Sequence, residues 1–165
     1  PKPVMPLPKL NGKLPLVGQP APSLRYVGVD RATHDMQNLR GSVVILLTVL
    51  SVDTGTCAKE ARTFNERASE LGATIITNSM DLPPSLDRFC AAEGIKNVQM
   101  TSDYRFRDMF NNWGVGILEG PWEAALARAV WVLDKDGVIR YHELVPELGN
   151  EPNYEAALQA AKELL

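Results

Sequence analysis

The strongest constraint in the chain is Val43 to Leu50, a run of branched and apolar residues interrupted only by Thr48. It is bounded by Gly41 on one side and by Ser51, Asp53 and Gly55 on the other. Successive side chains of a strand point to opposite faces, so a strand apolar at nearly every position is buried on both. The pattern changes directly afterwards. From about Thr56 to Leu71 the positions Ala58, Ala61, Phe64, Ala68 and Leu71 recur at helical spacings, and Gly72 stands where a helix would stop. A buried strand running into an amphipathic helix opens a layered α/β structure. The strand run is far too short to cross a bilayer.

The remaining signals extend that order. Leu24 to Val29 and Ala73 to Thr77 read as short strands. Ser85 is placed to cap a helix running through Phe89 and Cys90 to a stop at Gly94, and Tyr104 to Trp113 is a further helix candidate. Ala129–Leu133 and Val138–Leu144 flank the turn Asp134-Lys-Asp-Gly137 and predict a hairpin. A closing helix spans Tyr154 to Leu165. This order predicts an α/β, thioredoxin-like fold, a mixed central sheet with helices on both faces. Residues 1–165 read as one domain. Residues 1–22 hold seven of the twelve prolines and predict an extended, turn-rich arm.

Composition narrows the function classes. A chain of 165 residues, 45% apolar and 22% charged, is long enough for a full core. With a net charge of −3 and no basic stripe, nucleic-acid binding has no footprint. The proline-punctuated start does not read as a retained signal peptide, so the cytoplasm is the expected location. A removed export signal is left open by the absence of an initiator Met. His34 and His142 show no ligand spacing with each other or with the cysteines, and no metal is expected. Asp134-Lys-Asp136-Gly137 lacks a third ligand and a distal Glu for a calcium loop. Gly114-Val-Gly116 with Gly120 has the wrong spacing for a dinucleotide fingerprint, so no cofactor is expected. Trp113, Trp122 and Trp131 are read as core or interface residues.

The only cysteines are Cys57 and Cys90, and neither lies in a Cys-x-x-Cys. A disulfide scaffold is thereby excluded, and redox chemistry becomes the question. Cys57 ends Leu50-Ser-Val-Asp-Thr-Gly-Thr-Cys57, where the buried strand gives way to the helix. The unpaired N–H groups of a first helical turn favour a thiolate, the nucleophilic form. Thr54, three residues earlier, is placed to set its hydroxyl beside the sulfur. Taken alone, a small buried cysteine with a capping threonine explains this as well.

The wider pattern changes the balance. Asp53-Thr54-Gly55-Thr56-Cys57 resembles the peroxidatic motif of the thiol peroxidase branch of the peroxiredoxins, the atypical two-cysteine type, and Phe64-Asn65 fits the helix after it. Met80-Asp-Leu-Pro and Arg88-Phe-Cys90-Ala-Ala-Glu-Gly94 resemble that branch's resolving segment. Thr101-Ser-Asp-Tyr104, Leu126-Ala-Arg128-Ala-Val and Glu151-Pro-Asn-Tyr-Glu-Ala-Ala157 follow in the same order, over roughly residues 17–163.

The resemblance implies Cys57 as peroxidatic cysteine, Thr54 as motif threonine, Arg128 as active-site arginine and Cys90 as resolving cysteine. Among apolar neighbours, Arg128 is expected to be partly buried and paired. The implied reaction makes a Cys57 sulfenic acid from a hydroperoxide, alkyl or lipid hydroperoxides included, then a Cys57–Cys90 disulfide reduced by thioredoxin. A homodimer is implied likewise. Two helical cysteines bridge only within roughly 7 Å between Cα atoms, so a reduced protein with the pair farther apart must unwind locally. The chain departs from the family at Leu50, where peroxiredoxins generally carry proline, and in residues 1–16, where the opening hairpin is barely recognisable. Gly18-Gln-Pro-Ala-Pro22 rejoins the pattern. A peroxide sensor on the same scaffold and a module with inert cysteines stand as rival readings.

Overall fold

The computed structural model describes residues 5–68 and 70–165; residues 1–4 of the proline-rich arm, Ser69 and the side chain of Ala68 lie outside the described residues. Seven strands form one sheet: β1 (Arg25–Gly28), β2 (Thr33–Asp35), β3 (Val44–Thr48), β4 (Thr74–Ser79), β5 (Gln99–Ser102), β6 (Ala129–Leu133) and β7 (Ile139–Leu144). Their order is β2-β1-β5-β4-β3-β6-β7. Among the described residues four α-helices accompany them: α1 (Gly55–Ala68), α2 (Pro83–Glu93), α3 (Asp108–Asn112) and α4 (Tyr154–Leu164).

The Val43–Leu50 run supplies β3, fully buried along its length, with β4 parallel on one side and β6 antiparallel on the other. Its side chains alternate as expected. Val44 and Leu46 enter one core with Trp113 and Trp131, while Val43, Ile45 and Leu47 enter a second with Phe64 and Leu86. The steps from β3 to β4 and from β4 to β5 run the same way across the sheet. Right-handed crossovers therefore put α1 and α2 on one face, where α4 joins them through Ala157, Leu158 and Ala161. The opposite face is covered by α3, by Val115 and Ile117, and by the proline-rich arm. The arm is held by backbone bonds to the β6–β7 turn and by Trp131, whose indole N–H donates to the Pro15 carbonyl at 3.2 Å.

Several boundaries differ from expectation. Helix α2 begins before Ser85, which lies inside it; Leu82 holds the cap position without a side-chain bond and Pro83 opens the helix. Proline suits that position because its missing N–H would have no helical partner anyway. Gly94 ends α2 in the left-handed region at φ 65°, as its place predicts. The helix expected over Tyr104–Trp113 shrinks to α3. Arg107 turns left-handed at φ 56°, and the Asp103 carboxylate instead accepts the N–H groups of Met109 and Phe110. Strands β2 and β5 carry no clear periodicity and were not expected. β5 buries polar Thr101, whose hydroxyl donates to the Thr77 carbonyl and accepts from Asn78.

Candidate active site

Two neighbouring strands aim their ends at the start of α1. Thr48, the last residue of β3, donates its hydroxyl to the Ala127 carbonyl at 2.7 Å and pairs with Ala129. That register places Arg128, just before β6, beside the loop that leaves β3. The loop turns over Ser51 and enters α1 at Gly55, so Cys57 is the third helical residue.

Thr54 caps the helix. Its hydroxyl oxygen accepts the Cys57 N–H at 3.3 Å, and its proton goes to the Ser51 carbonyl at 3.1 Å. The expected place of the hydroxyl is beside the sulfur; the bond it makes to Cys57 is to the backbone N–H. Thr54 acts on the Cys57 backbone, because a residue three before a helical N–H is in capping register.

Arg128 supplies the contact to sulfur. Its Nη2 donates to Cys57 Sγ at 3.1 Å and to the Leu148 carbonyl at 3.3 Å, and Nη1 donates to Glu60 Oε2 at 3.3 Å. The arginine is 0% exposed, Glu60 1% and Cys57 2%, so a permanent cation and two acids share one dry space. Burial alone would weaken the Arg128 charge, but Glu60 and Cys57 outweigh it and hold the guanidinium above its ordinary value. Burial pushes the Glu60 carboxyl up to about 7, against the pull of Arg128. Its Oε1 has no hydrogen-bond partner among the described residues, which adds to the cost of ionising it.

Glu60 is the site residue the sequence reading missed. The available signal was spacing: Cys57, Glu60, Ala61 and Phe64 share the inward face of α1, and a glutamate there needs a partner. Leu50, in the position where the family carries proline, is buried in the same core as Cys57.

Cys90 stands apart from this group. It lies on α2, half-buried against the second core, while Cys57 packs into the first, and both thiols are free. Burial, helped by the Asp87 charge, pushes the Cys90 thiol up. The histidines serve packing: His34 stacks on Tyr26 and His142 on Trp131. Among the described residues no helix is long and apolar enough to cross a membrane.

A buried cysteine at a capped helix start, with an arginine on its sulfur, suits reaction with a small electrophile that draws electrons from sulfur. The likeness to known proteins points to the same chemistry. The sequence pattern of the Redoxin family matches residues 16–158. A thiol peroxidase of Mycobacterium tuberculosis is 49% identical over 150 residues, covering 90% of each chain. One from Leptospira interrogans is 41% identical over 160 residues, covering 95% of this chain and 94% of the other. The crystal structure of a peroxiredoxin-like protein from Aquifex aeolicus superposes with a TM-score of 0.90 at 39% identity, covering 94% of this chain and 91% of that one. The chain belongs to the Redoxin family and, within it, to the thiol peroxidase branch of the peroxiredoxins, enzymes that reduce peroxides with a cysteine thiol.

Proposed function

We infer that the chain reduces alkyl and lipid hydroperoxides and hydrogen peroxide through a Cys57 sulfenic acid and an intramolecular Cys57–Cys90 disulfide, recycled by thioredoxin or a similar dithiol. The observation that carries this reading is the 3.1 Å contact from Arg128 Nη2 to the sulfur of a buried cysteine at a helix start. The Cys57 thiolate attacks the terminal peroxide oxygen, giving up two electrons as the O–O bond breaks. With one proton taken up, the products are the sulfenic acid and an alcohol or water. The Arg128 fork and the N–H groups of the first α1 turn oppose the charge moving onto the leaving oxygen. Thr54 keeps that turn formed.

The Cys90 sulfur then displaces hydroxide from the sulfenic sulfur, and water leaves. Half-burial against the second core pushes the Cys90 thiol up, so local unwinding that frees it from that core favours closure. Its carbonyl accepts from Gly94 and Ile95, which makes the last turn of α2 the segment to open. Thioredoxin restores both thiols by exchange, becoming oxidised itself. The family likeness also supports a homodimer and a cytoplasmic location.

A steady-state assay with cumene hydroperoxide, thioredoxin and its reductase tests the reading. Sustained turnover is expected, and Cys90→Ser should keep one oxidation per chain yet stop turnover through thioredoxin. A single stoichiometric oxidation in the parent protein would instead mark a peroxide sensor. Unchanged turnover in Cys90→Ser would remove Cys90 from the mechanism.

A further inference from the structure

The loop that delivers Cys57 hangs from a residue outside the site described above. Asp81 lies between β4 and α2. One of its carboxylate oxygens accepts the Ser51 hydroxyl at 2.8 Å. The other accepts the Val52 N–H at 2.9 Å and the Ser79 hydroxyl at 2.7 Å. Ser79 is buried at the end of β4, and its oxygen also accepts the Asp81 N–H at 3.3 Å, so the carboxylate is anchored to the central sheet.

From Ser51 the bonds continue to the thiol. The Ser51 hydroxyl oxygen accepts the Asp53 N–H at 3.1 Å, and the Ser51 carbonyl accepts both the N–H and the hydroxyl of Thr54. Thr54 in turn holds the Cys57 N–H. Asp81 thus reaches Cys57 through two intermediaries, Ser51 and Thr54. On its other side it is followed directly by Leu82, the uncapped entry to the helix that carries Cys90.

We propose that Asp81 is a positioning residue that clamps the Cys57 loop to the end of β4 leading into α2, and that this clamp releases before Cys57 and Cys90 join. The inference rests on the two-cysteine reading above. A carboxylate suits the place because all three partners are donors and both oxygens accept. An amide of the same shape turns a donor towards one of them. The clamp acts in opposite directions on the two halves of the cycle. It holds the sulfur against Arg128 for peroxide attack, and it opposes the loop movement that disulfide closure needs.

Single-turnover rapid-quench experiments with hydrogen peroxide, read by intact mass after alkylation, separate the two steps. In Asp81→Asn and Asp81→Ala, Cys57 oxidation is expected to slow by roughly tenfold through loss of positioning. Closure of the disulfide is expected to quicken by at least about threefold, because the released hydrogen bonds no longer hold the loop. Ser51→Ala removes one clamp bond and should show both changes at smaller amplitude, which keeps the test open if an Asp81 variant fails to fold. Two unchanged rates, slower closure, or two rates that fall together with the folded fraction would each overturn the clamp. If the parent protein forms no Cys57–Cys90 disulfide, the two-cysteine reading has failed and the clamp with it, and that result appears before any variant is made.

Discussion

At the scale of single residues, one cation serves two buried acids. Arg128 faces Cys57 and Glu60 together, so the site neutralises one negative charge more easily than two. Replacing Arg128 by Met leaves Glu60 without its cation and should destabilise the fold by about 3 kcal/mol. It should also lower peroxide reduction by about a hundredfold or more. The double variant Arg128→Met/Glu60→Gln should regain most of the stability and none of the activity. Thermal unfolding beside the peroxidase assay checks both halves, and recovery of activity would remove Arg128 from the chemistry. Glu60→Gln alone keeps Arg128 on the Cys57 sulfur while removing the buried carboxyl. The same substitution changes stability with a defined sign. A carboxyl raised to about 7 from 4.5 contributes fully below about 4.5 and loses that contribution as pH climbs to about 7. Asp103, pushed up to about 6 mainly by burial, gives the parent chain a second loss of the same sign. The stability difference between parent and Glu60→Gln isolates the first. Denaturant titrations on either side of that window should show the variant gaining on the parent as pH rises; an equal difference at both ends would mean Glu60 is not titrating there.

At the scale of elements, what the sequence revealed depended on how local the cause was. β3, α1, the β6–β7 hairpin and α4 each carry their own periodicity, and the structure places them within a few residues of expectation. β5 and α3 do not. β5 is ordered by bonds from Thr101 to Asn78 and Thr77, and α3 by the Asp103 carboxylate, so their causes lie outside the segments. The site divides likewise: Thr54 and Cys57 are neighbours in sequence, but the Arg128 contact to Cys57 spans 71 residues. Only the family resemblance joined those two before the fold did. Glu60 belongs to no motif, and only its place on the inward face of α1 marks it. Helix α2 has its own weak point at the end that carries Cys90. Gly94 is left-handed, and an added Cβ there would meet nothing, so Gly94→Ala perturbs only the backbone. It should cost about 1 kcal/mol and fray the last turn. Labelling of Cys90 by a thiol reagent in a Cys57→Ser background should then quicken severalfold. An unchanged rate would mean that Cys90 is reached by some motion other than opening of this turn.

At the scale of the whole molecule, the proline-rich arm closes one of the two cores. Three of the four helices pack on the other face, and the arm with the segment near Ile117 takes the place of a further helix layer. The Asn11 N–H donates to Gly116 at 2.7 Å and the Leu118 N–H to Lys9 at 2.9 Å, while farther along Gly18 and Ala21 bond to Ile139 and Gly137. Between those two attachments the arm crosses the edge of Trp131, which holds Pro15 and packs edge-on against Trp113 at 5.1 Å. Trp131→Phe removes that hydrogen bond and part of the ring, which should cost about 1–3 kcal/mol. The damage should be uneven. Trypsin should cut the variant after the exposed Lys9 and Lys13 well before the rest of the chain, because those bonds sit in a segment that opens without unfolding the sheet. Comparison with denaturant stability decides the matter: if arm cleavage rises only in step with global unfolding, the arm is part of the main cooperative unit and Trp131 is simply core. If it rises ahead, the arm is a separately opening layer over the core that Leu50 and Cys57 also join. Loosening it should then also expose Cys57, a link that alkylation of Cys57 in the same variant reads directly.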